Sequence, residues 1–293
     1  MRVVKVFRGE PLIDIVRWIE RAPEIAFAVL DPDAGAGSYA GELVDGHVHR
    51  PWRVWLDLAE RMGLRMLTPR PATPPLVELR FERLDRDERL LPGDAGPERY
   101  GIGSGFERVH KLEDPGFLLD LEEALARVAL VPGARVLDLG CNTGDVLSVM
   151  PPGVTLVGVD HSGSALAVAR GRLPQAQLVQ ADVAQLPALG RFDLVVSIGL
   201  LQSGGLDDRA LVRHVVQELL AERGAVIFGW PNCRYVAGEV EYGARIKNLR
   251  EPELGLVIKD VAFYRKYLAQ HRRQVFVTGK HYLLVTGIAW PLE

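Results

Sequence analysis

The chain has 293 residues and a formal net charge of −3 at pH 7. This length suits one large domain with a smaller one, and the charge gives no electrostatic argument for nucleic acid. Two cysteines, Cys141 and Cys233, are too few for a disulfide framework, so a reducing cytoplasm is the expected compartment. No uncharged apolar run approaches the ~20 residues of a membrane span, and we expect a soluble protein without a targeting segment.

The first part of the chain alternates between strand and helix patterns. It predicts strands at residues 3–7, 25–30, 39–44 and 64–67 and helices at 11–21 and 51–62. The second helix has clear boundaries, because Pro51 presets a helical φ and Gly63 can end the last turn. The order βαββαβ is that of a ferredoxin-like sheet, which a further strand at 76–81 could extend. We therefore predict a small α/β domain over residues 1–90.

A segment rich in glycine and proline separates this domain from the rest of the chain. Residues 91–97 read Leu-Pro-Gly-Asp-Ala-Gly-Pro, a typical turn composition, and residues 101–106 contain three more glycines before a predicted helix at 115–128. Residues 91–114 are predicted to form either a plain linker or a lid over a ligand.

A strand, a glycine turn and a helix start follow at residues 136–147. Gly140 lets the backbone turn sharply and approach a ligand closely, while the helix start after Gly144 offers free N–H groups. A second apolar strand at 154–159 ends in Asp160. A carboxylate at the carboxyl end of a neighbouring strand suits the two hydroxyls of a ribose.

Two ligands fit this pattern, a dinucleotide and S-adenosylmethionine. A dinucleotide fingerprint needs G-x-G-x-x-G so that a pyrophosphate can lie on the helix N-terminus. Here Asn142 replaces the middle glycine and the last glycine comes too early. Asp138 in the turn would repel a phosphate but could hold an ammonium group. The pattern favours S-adenosylmethionine.

Five motifs in order resemble the class I S-adenosylmethionine-dependent methyltransferases, over residues 131–291. The first motif of that family, acid-x-Gly-x-Gly-x-Gly, matches at Asp138, Gly140 and Gly144 and departs at Asn142. Asp182 and Val183 match the adenine-binding acid and its neighbour, and residues 191–197 match the fourth motif. Residues 224–231 look like the fifth strand, and 274–278 and 282–288 like the closing antiparallel hairpin.

The resemblance implies an α/β fold over residues 115–293, with a seven-stranded Rossmann-like sheet in the order 3-2-1-4-5-7-6 and a C-terminal antiparallel hairpin. It also implies S-adenosyl-L-methionine as the cofactor and the following cofactor-binding residues: Asp138, Gly140, Cys141, Asn142, Thr143, Gly144, Asp160, His161, Asp182, Val183, Ser197 and Gly199. Loops at the carboxyl ends of parallel strands form the ligand crevice, so candidate substrate residues are Gln202, Asn232, Arg234 and Tyr235.

The acceptor of the methyl group stays open. Transfer from a sulfonium needs mainly alignment, so the family shares a cofactor site without sharing a catalytic residue. Residues 197–202 lack the Asn/Asp-Pro-Pro-aromatic signature, which disfavours amino-methylation of bases or glutamine. A small-molecule acceptor is preferred. An RNA methyltransferase whose N-terminal domain grips RNA, and a non-catalytic S-adenosylmethionine-binding protein, are the alternatives. The N-terminal domain could also complete a homodimer.

Two other clusters have simpler explanations than a functional site. His47 and His49 stand two residues apart with no acid or thiol motif nearby, so we expect surface residues and no metal site. The basic run at 265–273 could touch RNA phosphates. It equally fits the solvated end of a helix, where positive charge suits the dipole.

Overall fold

The computed structural model describes residues 4–85, 97–242 and 255–290. Backbone contacts divide the chain into two units, Met1–Arg89 with Tyr235–Glu241, and Leu90–Arg234 with Tyr242–Glu293. Among the described residues, no helix is both long and apolar enough to cross a bilayer.

The first unit contains a four-stranded sheet covered by two helices. Its core includes Ile15 and Ile19 of the first helix, Trp55 of the second and Phe27 of the sheet. Its elements in chain order are β1 (Lys5–Val6), α1 (Leu12–Arg21), β2 (Ile25–Leu30), β3 (Leu43–Val44), β4 (His47–Val48), α2 (Trp52–Met62), β5 (Leu64–Pro71) and β6 (Leu76–Arg83).

The predicted ferredoxin-like arrangement of this unit is wrong. The sheet order is β1-β2-β6-β5, with β1 and β2 adjacent and parallel, whereas a ferredoxin-like fold splits its βαβ units with an intervening strand. The segment predicted as a strand at 39–44 supplies only β3, which pairs with β4 outside the sheet. Gly41, with a positive φ, interrupts the predicted strand, and Asp45 and Gly46, also with positive φ, form the turn between β3 and β4. Strand β6 lies inside the sheet instead, between β2 and β5.

The second unit is built on a larger sheet with helices on both faces. Three short 3₁₀ turns at Pro97–Tyr100, Gly105–Arg108 and Lys111–Glu113 precede it. The helices are α3 (Pro115–Val128), α4 (Asp145–Ser148), α5 (Gly163–Arg172), α6 (Asp208–His214) and α7 (Gly255–Gln270). The strands of its sheet are β7 (Arg135–Leu139), β8 (Thr155–Asp160), β9 (Gln177–Gln180), β10 (Phe192–Ile198), β11 (Leu220–Pro231), β14 (Arg273–Thr278) and β15 (Tyr282–Ala289). Between β11 and β14 the chain also forms β12 (Cys233–Val236) and β13 (Glu239–Tyr242), whose residues 235–241 group with the first unit.

The predicted seven-stranded sheet is confirmed. Its order is β9-β8-β7-β10-β11-β15-β14, which is 3-2-1-4-5-7-6 when β7 is counted as the first strand of the sheet. Strand β15 runs antiparallel to β11, and β14 pairs with β15 as the closing hairpin. Strands β12 and β13 form a separate two-stranded ribbon.

Both faces of this sheet are buried, which explains its continuous apolar strands. Successive strand residues point to opposite faces, so Val136 packs in one core cluster and Leu137 in the other. With both faces covered, ligands can reach the sheet at the carboxyl ends of its parallel strands, in the crevice where the strand order reverses between β7 and β10. The predicted cofactor motifs lie at this edge.

Candidate functional site

The loop between β7 and α4 is tied to the end of β8. The backbone N–H groups of Gly140 and Cys141 both donate to the Val159 carbonyl, at 2.8 and 3.1 Å. Gly140 and Gly144 have φ values of +77° and +82°, a region that favours glycine. A Cβ atom on Gly144 would lie 2.7 Å from the Leu173 side chain. The loop therefore follows a path that needs glycine at both positions.

Asp160 connects this loop to the turn after β8. Its Oδ2 accepts a 2.9 Å hydrogen bond from the Asn142 N–H, and its Oδ1 accepts one of 2.8 Å from the Ser162 N–H. The residue is only 6% exposed. Each carboxylate oxygen can accept a second hydrogen bond, so the predicted ribose contact is compatible with this structural role. His161 lies beside it, with Nδ1 4.0 Å from Oδ1.

Asp138 is an almost wholly buried carboxylate, 2% exposed, at the end of β7. Its pKa is raised to about 7, mainly by burial and also by the charges of Asp160 and Asp145, while the Lys111 ammonium opposes the rise. No donor among the described residues forms a hydrogen bond with its side chain. A buried carboxylate is stabilised by a paired cation. The ammonium group of a bound S-adenosylmethionine fits that requirement.

The other loop side chains serve mainly to hold its shape. Cys141 is buried, and burial raises the pKa of its thiol, so it acts as a small filler rather than a nucleophile. Asn142 Oδ1 accepts from the Thr143 N–H at 2.8 Å. Arg172 donates to the Thr143 carbonyl at 3.1 Å and pairs with Asp145 at 2.6 Å.

Three further predicted residues surround the end of β10. Ser197 is 1% exposed, and its Oγ has no partner among the described residues. Gly199, with φ of +80°, donates its N–H to the Gly229 carbonyl. Gln202 donates from Nε2 to the Gly199 carbonyl at 2.8 Å. Gln202 therefore fixes the backbone at the end of the strand whose motif faces the reacting methyl in the methyltransferases.

Asp182 and Val183 follow β9, as predicted for an adenine site. Asp182 is exposed, and its Oδ1 caps the next turn by accepting from the Ala184 N–H at 2.9 Å. If the carboxylate also accepts from the adenine amino group, Asp182→Asn should discriminate less between S-adenosylhomocysteine and its inosine analogue. Competition binding measures this ratio. Equal binding of both compounds by the wild type would show that adenine is read elsewhere.

Residues 97–102 lie against the glycine loop and the start of α5. The Tyr100 carbonyl accepts from Asn142 Nδ2 at 2.9 Å. The Glu98 carboxylate accepts from the hydroxyls of Ser162, at 2.7 Å, and Ser164, and these hydrogen bonds lower the pKa of Glu98. The glycine-rich composition indicated a linker or a lid but gave no signal for Glu98. The part of the segment before residue 97 lies outside the described residues.

A second group of side chains lies beyond the end of β10, and sequence reasoning missed it. Tyr282 places its hydroxyl 3.4 Å from where a Cβ on Gly199 would lie. His281, fully buried, has Nδ1 3.0 Å from Asp114 Oδ2, which also accepts from the Tyr242 hydroxyl at 3.2 Å. Burial lowers the pKa of His281, against the opposing charge of Asp114. Tyr282 is the first residue of β15 and Asp114 is the N-cap of α3. Neither position belongs to a sequence motif, so no sequence signal pointed to this group.

The predicted substrate residues after β11 separate in the structure. Asn232 donates from its N–H to the His281 carbonyl at 2.9 Å and from Nδ2 to the Lys280 carbonyl at 3.0 Å, so it fastens the turn before β15. Arg234 is exposed on β12, and Tyr235 groups with the first unit. Their substrate role stays a prediction.

The expectation that both histidines of the 46–50 segment lie on the surface is wrong for one of them. His49 is only 2% exposed, in close contact with Gly35. His47 is half-buried and its Nδ1 lies 2.8 Å from the Asp45 carbonyl. No group of three or more metal-binding side chains occurs within the part of the chain that the structure describes.

Comparison with known families gives a match over the part of the chain that contains the glycine loop and the ends of β7 to β10. Residues 136–224 match the family model described as a methyltransferase domain. This match confirms the methyltransferase resemblance for residues 136–224, and S-adenosyl-L-methionine is the cofactor that the resemblance implies.

The relatives found by sequence include several trans-aconitate 2-methyltransferases. The chain is 36% identical over 121 residues to that of Delftia acidovorans, covering 39% of this chain and 44% of the relative. It is 35% identical over 136 residues to that of Methylobacterium nodulans, covering 42% and 52%. The chain thus spans about half the length of these relatives. A solved magnesium protoporphyrin IX methyltransferase from Synechocystis is 20% identical, covers 65% of this chain and 88% of that chain, and has a TM-score of 0.43.

Proposed function

We propose that this protein transfers a methyl group from S-adenosyl-L-methionine to a small-molecule acceptor. The observation that carries the proposal is the pair of buried carboxylates, Asp138 and Asp160, at the carboxyl ends of β7 and β8. Asp138 lacks a donor among the described residues, and Asp160 holds the glycine loop in place.

Each of these residues has a distinct task toward the cofactor. Asp138 holds the ammonium group, Asp160 accepts from the ribose hydroxyls, and Asp182 with the Val183 amide reads the adenine. The bound cofactor supplies an electrophilic methyl group on a sulfonium. The protein contributes alignment of the acceptor with that methyl and exclusion of water. No catalytic base is assigned.

A small carboxylic acid is the acceptor class that we favour. The trans-aconitate methyltransferases among the relatives are named for such a substrate. A carboxylic acid is ionised near neutral pH, so its methylation needs no general base. This agrees with a site in which the family shares no catalytic residue.

The RNA alternative receives little support from the basic run near the C-terminus. Arg273 is buried and donates from Nε to the Gly224 carbonyl and from a guanidinium nitrogen to the Glu222 carbonyl, both at 2.8 Å. Its guanidinium group therefore binds backbone carbonyls of the protein itself rather than a phosphate at the surface. The cytoplasmic location and a homodimer remain predictions from the sequence.

Incubation with methyl-labelled S-adenosylmethionine and a cell extract tests the proposal. The extract is then separated into nucleic-acid, protein and metabolite fractions. We expect label in the metabolite fraction, and its loss with Asp138→Asn protein. Label in RNA would establish the RNA methyltransferase instead. Cofactor binding with no labelled product in any fraction would indicate a non-catalytic binding protein.

A further inference from the structure

Lys111 places a positive charge over the ring of Tyr282, whose hydroxyl reaches Gly199 at the end of β10. Its Nζ lies 5.8 Å from the ring centre of Phe117 and 5.9 Å from that of Tyr282. The residue is half-buried. Among the side chains that the structure describes, the Lys111 ammonium takes part in no hydrogen bond or ion pair. A partly buried cation over two aromatic rings gains some cation–π energy. An anion in contact with the ammonium would stabilise it further.

The charge of Lys111 acts on Asp138, whose pKa Lys111 lowers. In the proposed function, which this inference presupposes, Asp138 pairs with the cofactor ammonium. Asp138 is then engaged by the cofactor, and the same site holds two further positive charges, the Lys111 ammonium and the sulfonium. Two like charges repel each other, and an anionic acceptor placed between them would offset this repulsion.

The neighbouring Tyr282 can serve the same anion. Its hydroxyl lies at Gly199, at the end of β10. Burial raises the pKa of this hydroxyl, as do the nearby Cys233 and Tyr100, so it stays protonated and can donate a hydrogen bond. The Lys111 ammonium, 5.9 Å from the Tyr282 ring centre, and the Tyr282 hydroxyl are thus a neighbouring cation and O–H donor. We infer that Lys111 and Tyr282 bind a carboxylate of the acceptor and select acids over neutral or cationic molecules.

This role predicts which kinetic constant changes. In the transfer, one carboxylate oxygen forms a bond to the methyl carbon, the carbon–sulfur bond breaks, and its electron pair stays on sulfur. The products are a methyl ester and a thioether, and no proton moves. Where Lys111 holds a second carboxylate, that charge is the same in the ground state and the transition state. Where it holds the reacting one, the charge declines. In both cases removal of Lys111 weakens binding of the acceptor and does not lower kcat.

The test uses the full chain with S-adenosylmethionine and a panel of succinate, glutarate and trans-aconitate. Lys111→Gln should raise KM for the preferred acid about tenfold or more, since a hydrogen bond to a charged group is lost, without lowering kcat, and at a pH well above 7, where Asp138 is ionised, cofactor affinity should be nearly unchanged. Lys111→Arg should restore most of the loss. The same acid should bind about tenfold more weakly to Lys111→Gln protein saturated with S-adenosylhomocysteine, measured by calorimetry.

Lys280→Gln provides the matched control. Lys280 also lies over a tyrosine ring, that of Tyr242 at 4.0 Å, but it is exposed and not beside Gly199. Its replacement should leave KM unchanged. An equal loss in both variants would overturn the inference, as would loss of cofactor affinity alone in Lys111→Gln, which would assign Lys111 to the cofactor carboxylate.

The wild-type protein separates failure of the inference from failure of the proposed function. Methylation of a neutral or cationic metabolite, with none of the three acids accepted, would overturn the acid-binding role while leaving methyl transfer intact. Absence of any methyl transfer would overturn both.

Discussion

Replacing Asp160 by alanine is expected to weaken S-adenosylmethionine binding at least tenfold. The ribose loses its acceptor, at a cost of about 1.5–3 kcal/mol for a hydrogen bond to a charged group. The Asn142 N–H also loses its 2.9 Å partner, so the glycine loop is held less firmly. Both effects reduce affinity, and titration calorimetry measures their sum. Unchanged affinity would remove the ribose assignment.

Asp193→Ala is the control for general loss of stability. Asp193 Oδ2 accepts a 2.8 Å hydrogen bond from the Arg135 N–H, so it also joins two neighbouring parallel strands, but at their opposite end. Its removal should lower the melting temperature and leave cofactor affinity intact. Equal loss of affinity in both variants would mean that Asp160 acts only through stability.

Asp138→Asn is expected to abolish most S-adenosylmethionine binding while changing how stability depends on pH. In the wild type, a folded pKa of about 7 lies above the ordinary carboxyl value. The folded state therefore keeps a proton that the unfolded state has lost. Stability from this group is present at low pH and declines as pH rises toward about 7. Because asparagine does not titrate, the variant lacks this decline, and its ligand-free form should be the more stable one near pH 8.

The same titration should appear in cofactor affinity. An ammonium pairs with Asp138 only when the carboxylate is ionised, so each pH unit below about 7 should weaken wild-type binding up to about tenfold. Calorimetry near pH 6 and near pH 8 compares the two proteins. A wild-type affinity that does not change with pH, or an Asp138→Asn protein that binds normally, would contradict the ammonium assignment.

The large sheet could be predicted from sequence because its signals are local and repeated. Strand β2 was predicted with its observed bounds, and the seven strands of the second unit lie where apolar runs end at turns or at motif acids such as Asp160. The order of those strands followed from the resemblance. The first unit offered short apolar runs without motifs. Which strand of such a set lies in the centre depends on packing between distant segments, and β6 took that place.

The residues of the candidate site also differ in whether the sequence alone could predict them. Motif residues such as Asp138 and Gly140 could be found because the chemistry requires a residue type at a fixed spacing. Glu98, Lys111 and His281 belong to segments whose relevance depends on tertiary contacts, and no spacing links them to the glycine loop. Asp160 shows an intermediate case. Its position was predictable, but its two backbone hydrogen bonds were visible only in the structure.

A crystal structure of the protein with S-adenosylhomocysteine tests the cofactor assignment most directly. We expect the ligand along the carboxyl ends of β7, β8 and β9, with its ammonium on Asp138, its ribose hydroxyls on Asp160 and its adenine amino group on Asp182. A ligand bound elsewhere, or one whose ammonium points away from Asp138, would contradict the account.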